Sequence, residues 1–225
     1  MDLKQIAGEA GAQYVESGMI VGLGTGSTAY FAIKKLSERI KKEGLSIKAI
    51  PTSRSSEIIA TELNIPLLST GEVNEVDITI DGADEIDKKY RMIKGGGGAL
   101  LREKMIASIT RKEIIVVEPK KVVPKLGIKF ALPVEVVKFG WEITQKRIAR
   151  LECVPRLQIQ DGKPYITDNG NYILNCKFDG IEIPEKLESE LNNIPGVVAN
   201  GLFIGLAHML VIGDVKGAIT KTKRT

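Results

Sequence analysis

Histidine is nearly missing from this 225-residue sequence, with His208 the only one. A lone histidine speaks against a Ser–His–Asp hydrolase, a histidine-ligated metal site and a histidine acid/base pair. If the chain is a catalyst, carboxylates, lysine or tyrosine must move its protons. Cysteine is almost as scarce. Cys153 and Cys176 stand apart, without the spacing of a disulfide framework or a zinc site, and read as buried, inert thiols. No apolar run reaches membrane-spanning length. The most apolar stretch, GLFIGLAHMLVIG, is short and is interrupted by glycines and His208. The N-terminus, MDLKQIAGEAG, has an acid in second position and no apolar signal core, so the expected location is cytoplasmic. The net charge of +4 is mild, and no basic run interleaved with aromatics marks a nucleic-acid face. Neither a nucleic acid nor a membrane is expected as partner. The tail KGAITKTKRT reads as a solvated terminus.

What is present is an ordinary globular composition, 43% hydrophobic and 27% charged, in a chain long enough for one large domain or two modest ones. The first half alternates helical and strand patterns. Leu3, Ile6, Ala7, Ala10 and Tyr14 repeat at helical spacing, MIVGLG is a buried strand, and TAYFAIKKLSERIKKEG is an amphipathic helix closed by Gly44. SIKAIPTS, VDITID and KEIIVVEP are strands separated by further helices. Repeated β-α units predict an α/β fold: a Rossmann-like, mostly parallel sheet flanked by helices. Past residue 130 the pattern changes to β-α-β-β-α-β, the order of a ferredoxin-like α+β unit. RLQIQDGKPYIT and YILNCKF are its middle strands, joined at DNGN by the hairpin signal Asn169-Gly170. The expected domains are 1–130 plus 206–225, and an inserted smaller domain at 131–205.

Three motifs carry chemistry. GLGTGSTA follows a strand and opens a helix, so backbone N–H groups, the helix dipole and the hydroxyls of Thr25, Ser27 and Thr28 suit an anion. The plainer reading is a tight turn capped by Ser27 or Thr28. GTGSTA formally fits a dinucleotide fingerprint, but the next strand ends AIPTS, without the acid that a ribose needs. A single phosphate fits better. In DGAD, Asp81 and Asp84 follow a central strand at the end where open α/β sheets place ligands. Asp-Gly is also ordinary turn chemistry, and Glu85 and Asp87 read as solvated. In KGGGGALLREK, the glycines make either a flexible loop or a wall of backbone amides. Lys94 and Glu103, each taken alone, read as solvent-facing. Placed together, these groups suit proton abstraction next to a carbonyl and stabilisation of an enediolate, chemistry that needs no cofactor and no metal.

GLGTGSTA, DGADEID, IKGGGGALLREK, LPVEVV, TDNGN and PGVVANGLF, in this order, resemble ribose-5-phosphate isomerase A over nearly the whole chain. The resemblance implies interconversion of ribose 5-phosphate and ribulose 5-phosphate in the non-oxidative pentose phosphate pathway. It implies Glu103 as the base moving a proton between C1 and C2, with Asp81, Asp84 and Lys94 assisting ring opening and steadying charge. Thr25, Gly26, Ser27, Thr28, Gly82, Ala83, Gly95, Gly96 and Gly97 would line the sugar-phosphate site. Lys121 would lie near the substrate, with Lys120 competing for that assignment, and Lys4 would face the phosphate. The family uses no metal and forms homodimers or homotetramers. One departure stands out: the fourth glycine of the loop, Gly98, replaces an alanine common among relatives, and is expected to loosen the loop.

Two other classes compete. A sugar-phosphate sensor would keep the phosphate loop but has no need of Glu103, Lys94 and both aspartates. It also needs an output domain, for which a chain starting directly on its first helix leaves no room. A coenzyme A transferase expects a larger chain with a nucleophilic glutamate, and an amino-sugar-phosphate deaminase a ring-opening histidine, for which His208 is in the wrong context.

Overall fold

The computed structural model describes residues 2–222. The chain begins with α1 (Leu3–Ala12), β1 (Ile20–Leu23), α2 (Ser27–Glu43), β2 (Lys48–Pro51), α3 (Arg54–Glu62) and β3 (Val76–Asp81). Two short strands follow, β4 (Glu85–Ile86) and β5 (Met92–Ile93), then α4 (Leu100–Ser108) and β6 (Thr110–Val117). Next come β7 (Leu132–Val136), α5 (Trp141–Ile148), β8 (Val154–Leu157), β9 (Ile159–Gln160), β10 (Lys163–Pro164) and β11 (Tyr172–Lys177). The chain continues through α6 (Pro184–Asn192), β12 (Val197–Asn200), β13 (Leu202–Phe203), β14 (Met209–Asp214) and β15 (Gly217–Thr222).

These elements form two compact units. The first runs from the N-terminus through Ala83, adds Arg102–Val122, and resumes at Leu206. Its sheet has the order β15-β14-β6-β3-β1-β2, parallel throughout except for β15. β3 and the second half of β6 are covered on both faces, as suits central strands packed between helices. Val21, Leu23, Ile78, Ile80, Ile114 and Val116 make a core with Ala7 and Ala12 of α1 and Ile33 and Leu36 of α2. α1 comes unusually close to the start of α2. A Cβ built on Gly8 would lie 2.5 Å from the Thr28 carbonyl oxygen, so only glycine permits this approach. The tail read as solvated is indeed exposed from Gly217 to Thr222, yet it forms an edge strand along β14. Its residues 223–225 lie outside the described residues.

The second unit holds Asp84–Leu101 and Val123–Gly205. Its four-stranded antiparallel sheet has the order β12-β7-β11-β8, and with α5 and α6 it realises the β-α-β-β-α-β arrangement. Leu132, Val134, Val136, Ile148, Leu174, Cys176, Leu187 and Leu191 fill its core. Cys153 and Cys176 are buried free thiols.

A separate three-stranded sheet, β13-β5-β4, lies in the same unit. Residues 84–101 and 123–130, counted with the large domain in the sequence reading, group by compactness with this unit.

Two expected strands are interrupted. The strand read through RLQIQDGKPYIT breaks at Asp161-Gly162, both with positive φ (51° and 75°), which turns β9 back on β10 as a small ribbon. The strand read through GVVANGLFIG divides at Gly201. There the backbone leaves the four-stranded sheet for the three-stranded one, passing so close to the Lys94 carbonyl and to Pro133 that no side chain fits.

Candidate active site

In the first unit the loop after β1 is built around Asp81, at the end of β3. Asp81 is buried, and its Oδ1 accepts from the Thr25 N–H at 3.0 Å and the Gly82 N–H at 2.7 Å. The chain then enters α2 at Ser27. Gly26, at φ 99°, stands in the N-cap position and supplies no side-chain cap. The capping role considered for Ser27 or Thr28 is therefore not what these residues do. Ser27 is exposed and Thr28 half-buried in the first turn of α2, where backbone N–H groups lack intrahelical acceptors and the dipole favours an anion. Lys4 lies one turn before Gly8 on α1, on the face that meets the start of α2.

Thr25 behaves differently from its neighbours. Its Oγ1 lies 2.8 Å from Thr52 Oγ1 and donates to Ser53 Oγ at 2.8 Å, while the Thr52 hydroxyl is also bonded to the Leu23 carbonyl at 3.0 Å. Thr25 thus ties the loop after β1 to the end of β2, where Ser53 caps α3. Thr52 and Ser53 were missed from sequence. The available signal was the run PTSRSS at the end of the strand adjacent to β1.

Gly82 and Ala83 follow Asp81, half-buried. α4 carries Glu103, only 5% exposed, with Ile106 and Ala107 buried further along the same helix. Its carboxylate belongs to the buried side of α4, which corrects the solvent-facing reading. After β6, Lys121 is half-buried, whereas Lys120 is exposed and pairs with Glu118 at 3.1 Å. That difference separates the two candidate lysines.

In the second unit, Asp84 continues the β4–β5 pairing, its N–H donating to the Ile93 carbonyl at 2.8 Å. Its Oδ2 accepts from the Gly96 N–H at 2.8 Å. The glycine loop is a tight turn in which Gly98 N–H donates to the Gly95 carbonyl at 2.9 Å, with Gly95 and Gly98 at φ 95° and 83°. Gly97 is exposed at its tip. Two loop amides therefore serve the protein's own groups, and one of them orients Asp84. Lys94 is 2% exposed and lies 5.4 Å from the Phe203 ring centroid, a buried cation over an aromatic face rather than a solvated lysine.

Glu85 and Asp87, read as solvated, are both buried. Glu85 accepts backbone N–H bonds from Gly127 (2.6 Å), Lys129 (2.7 Å) and Phe130 (2.8 Å). Asp87 pairs with Arg91 at 2.7 Å. Glu85 thereby fixes the loop that carries Phe130, whose ring tip would sit 2.7 Å from a Cβ on Gly96. Among the described residues no group of three His, Cys, Asp or Glu side chains is arranged to hold a metal ion. No described helix is long and apolar enough to cross a membrane.

Fold and side chains define a class: an α/β protein in which a glycine-rich strand–helix turn leaves the backbone N–H groups of a helix start uncapped by side chains, with carboxylates buried in the same unit. Comparison with known proteins resolves it further. The family model for ribose 5-phosphate isomerase A (phosphoriboisomerase A) matches residues 48–217. Ribose-5-phosphate isomerase A of Bacillus mycoides is 49% identical over 218 residues, covering 96% of this chain and 98% of its own. The solved ribose 5-phosphate isomerase A of Methanocaldococcus jannaschii superposes with a TM-score of 0.94 at 38% identity, covering 99% of each chain. A D-ribose-5-phosphate isomerase solved in complex with phospho-erythronic acid gives 0.95 at 35% identity, covering 99% of this chain and 100% of that one. The chain belongs to the ribose 5-phosphate isomerase A family.

Proposed function

We propose that this chain interconverts D-ribose 5-phosphate and D-ribulose 5-phosphate through an enediolate, with Glu103 as the base. Family membership over nearly the full chain supports the reaction. The observation that carries the choice of base is the burial of the Glu103 carboxylate on α4. The start of α2, with Gly26, Ser27 and Thr28, takes the phosphate, and Lys4 adds charge. Asp81 and Asp84, assisted by Lys94, exchange protons with the sugar oxygens as the furanose ring opens. Glu103 then removes the C2 proton of the open aldose. The electron pair forms the C1–C2 double bond and leaves charge on O1, steadied by Lys94. Returning the proton to C1 while the O2 proton passes to O1 completes the ketose, with its carbonyl at C2 and a hydroxyl at C1.

The acid in the solved relative's complex carries a carboxylate, which resembles an enediolate in planarity and charge. Gly82, Ala83, Gly95, Gly97 and Lys121 line the sugar in this reading. The enzyme works in the cytoplasm as a homodimer or homotetramer. Phe139, 94% exposed, with Ile143 also exposed, supports a contact between copies. No cofactor or metal takes part. The test is ketose formation from ribose 5-phosphate by the purified protein in EDTA. Sustained turnover is expected. Loss of turnover in EDTA overturns the metal-free mechanism, and binding without turnover points to a sensor.

A further inference from the structure

The fourth glycine of the loop is not slack. Gly98 is buried, and a Cβ built on it would lie 2.5 Å from Tyr165 Cε1 and 2.6 Å from Cζ. The phenol occupies the place of the missing side chain. Its hydroxyl donates to the Gly97 carbonyl at 3.3 Å. Tyr165 is itself anchored, for its N–H donates to the Gln158 carbonyl at 2.9 Å across the β9–β10 ribbon. Two residues on, Thr167 enters a turn fastened to the fully buried Glu135. Oε1 of Glu135 accepts from Thr167 Oγ1 (2.9 Å), Asn169 Nδ2 (3.2 Å) and Asn171 Nδ2 (2.9 Å). On the other side of the loop, the Gly95–Gly98 turn presents the Gly96 N–H to Asp84.

We infer that Tyr165 is a positioning residue that sets the glycine turn, and through the Gly96 amide the Asp84 carboxylate, with glycine at 98 and tyrosine at 165 forming a matched pair. The inference rests on the role proposed above for Asp84 in the isomerisation. Tyr165 need touch no substrate. The glycine turn has two residues with positive φ and no side chains of its own, so its shape must come from what packs on it. Phe130 and Asp84 press on Gly96, and Tyr165 presses on Gly98. Burial, together with the charges of Asp168 and Glu135, pushes the phenol above its ordinary range, so it stays a donor through neutral pH.

The test compares Tyr165→Phe, Gly98→Ala, Tyr165→Ala and the double variant Gly98→Ala/Tyr165→Ala in ribose 5-phosphate turnover, with amide exchange at Gly96–Gly98. Tyr165→Phe keeps the ring and removes one neutral hydrogen bond. Its kcat should fall about threefold to tenfold with KM nearly unchanged, and exchange at the turn should quicken. Gly98→Ala should lose more, and removing the ring in the double variant should return at least about fivefold of that loss, since the clash with the ring is relieved and only the strain of alanine at φ 83° remains. A merely structural tyrosine gives effects that multiply, with no recovery, and that result overturns the pairing. Wild-type kcat and unchanged exchange in Tyr165→Phe overturn the positioning role. If the wild type itself does not convert ribose 5-phosphate, the isomerase reading falls, and the exchange comparison alone then decides whether Tyr165 holds the turn.

Discussion

Gly24 and Asp81 meet where neither leaves room for more: a Cβ built on Gly24 would lie 2.5 Å from both the Cα and the Cγ of Asp81. The end of β1 and the end of β3 are joined here, with the Gly24 N–H donating to the Ile80 carbonyl at 3.0 Å. Gly24→Ala should displace the Asp81 carboxylate from the Thr25 and Gly82 amides. Overpacking of this kind costs about 1–3 kcal/mol. Urea unfolding should show a loss on that scale, together with a fall in kcat. Unchanged kinetics would mean that the position of Asp81 is not critical.

Glu85 should prove a structural residue although it sits one position from Asp84. Its two oxygens face three backbone donors. Glu85→Gln turns an NH2 group against at least one of those N–H groups, which leaves donor facing donor in a buried place. The expected loss is about 1–3 kcal/mol in equilibrium unfolding.

Much of this architecture is legible in the sequence because its signals are local. GLGTGSTA reads as a strand, a turn and a helix start because glycines and hydroxyls fall at fixed offsets, and DGAD sits at the end of an unmistakable central strand. The burial of Glu85, Asp87 and Lys94 was not legible. They lie in or beside two strands of two residues each, too short for any periodicity, and the partners of Glu85 are remote, 42 to 45 positions away. Thr52 and Ser53 escaped for the same reason, since their link to Thr25 spans neighbouring strands. The β9–β10 ribbon is hidden because Asp161-Gly162, itself a strong turn signal, sits inside a run of otherwise strand-like residues. Gly98 looked like a loosened position because the residue that fills its space, Tyr165, lies 67 positions along the chain, a separation that leaves no local trace.

Lys94→Met should keep the packing against Phe203 while removing the charge. If Lys94 steadies charge on the sugar oxygens, kcat falls by about 10²-fold or more, the scale of one lost oxyanion donor. Circular dichroism should show the fold intact. A folded Lys94→Met protein with wild-type turnover would remove Lys94 from the mechanism.

The pH dependence of stability follows from Tyr165. Burial raises its phenol above the ordinary tyrosine value, with smaller contributions from Asp168 and Glu135. The folded state therefore holds this proton more tightly than the unfolded state. Its contribution to stability is complete below about pH 10, the ordinary tyrosine value, and is lost as pH rises from there through the higher folded value. Tyr165→Phe has no such proton, so its stability should fall less steeply than that of the wild type above pH 10. Denaturant midpoints measured across that window decide the matter, and parallel slopes would contradict it.

The role of Glu103 is tested most directly by Glu103→Gln, which keeps the shape of the side chain and removes the base. Turnover of ribose 5-phosphate and equilibrium binding of the same sugar should be measured on the same preparation. The expected result is a loss of about 10²–10⁴-fold in kcat with binding retained. A Glu103→Gln protein that isomerises at close to the wild-type rate would contradict proton transfer by Glu103.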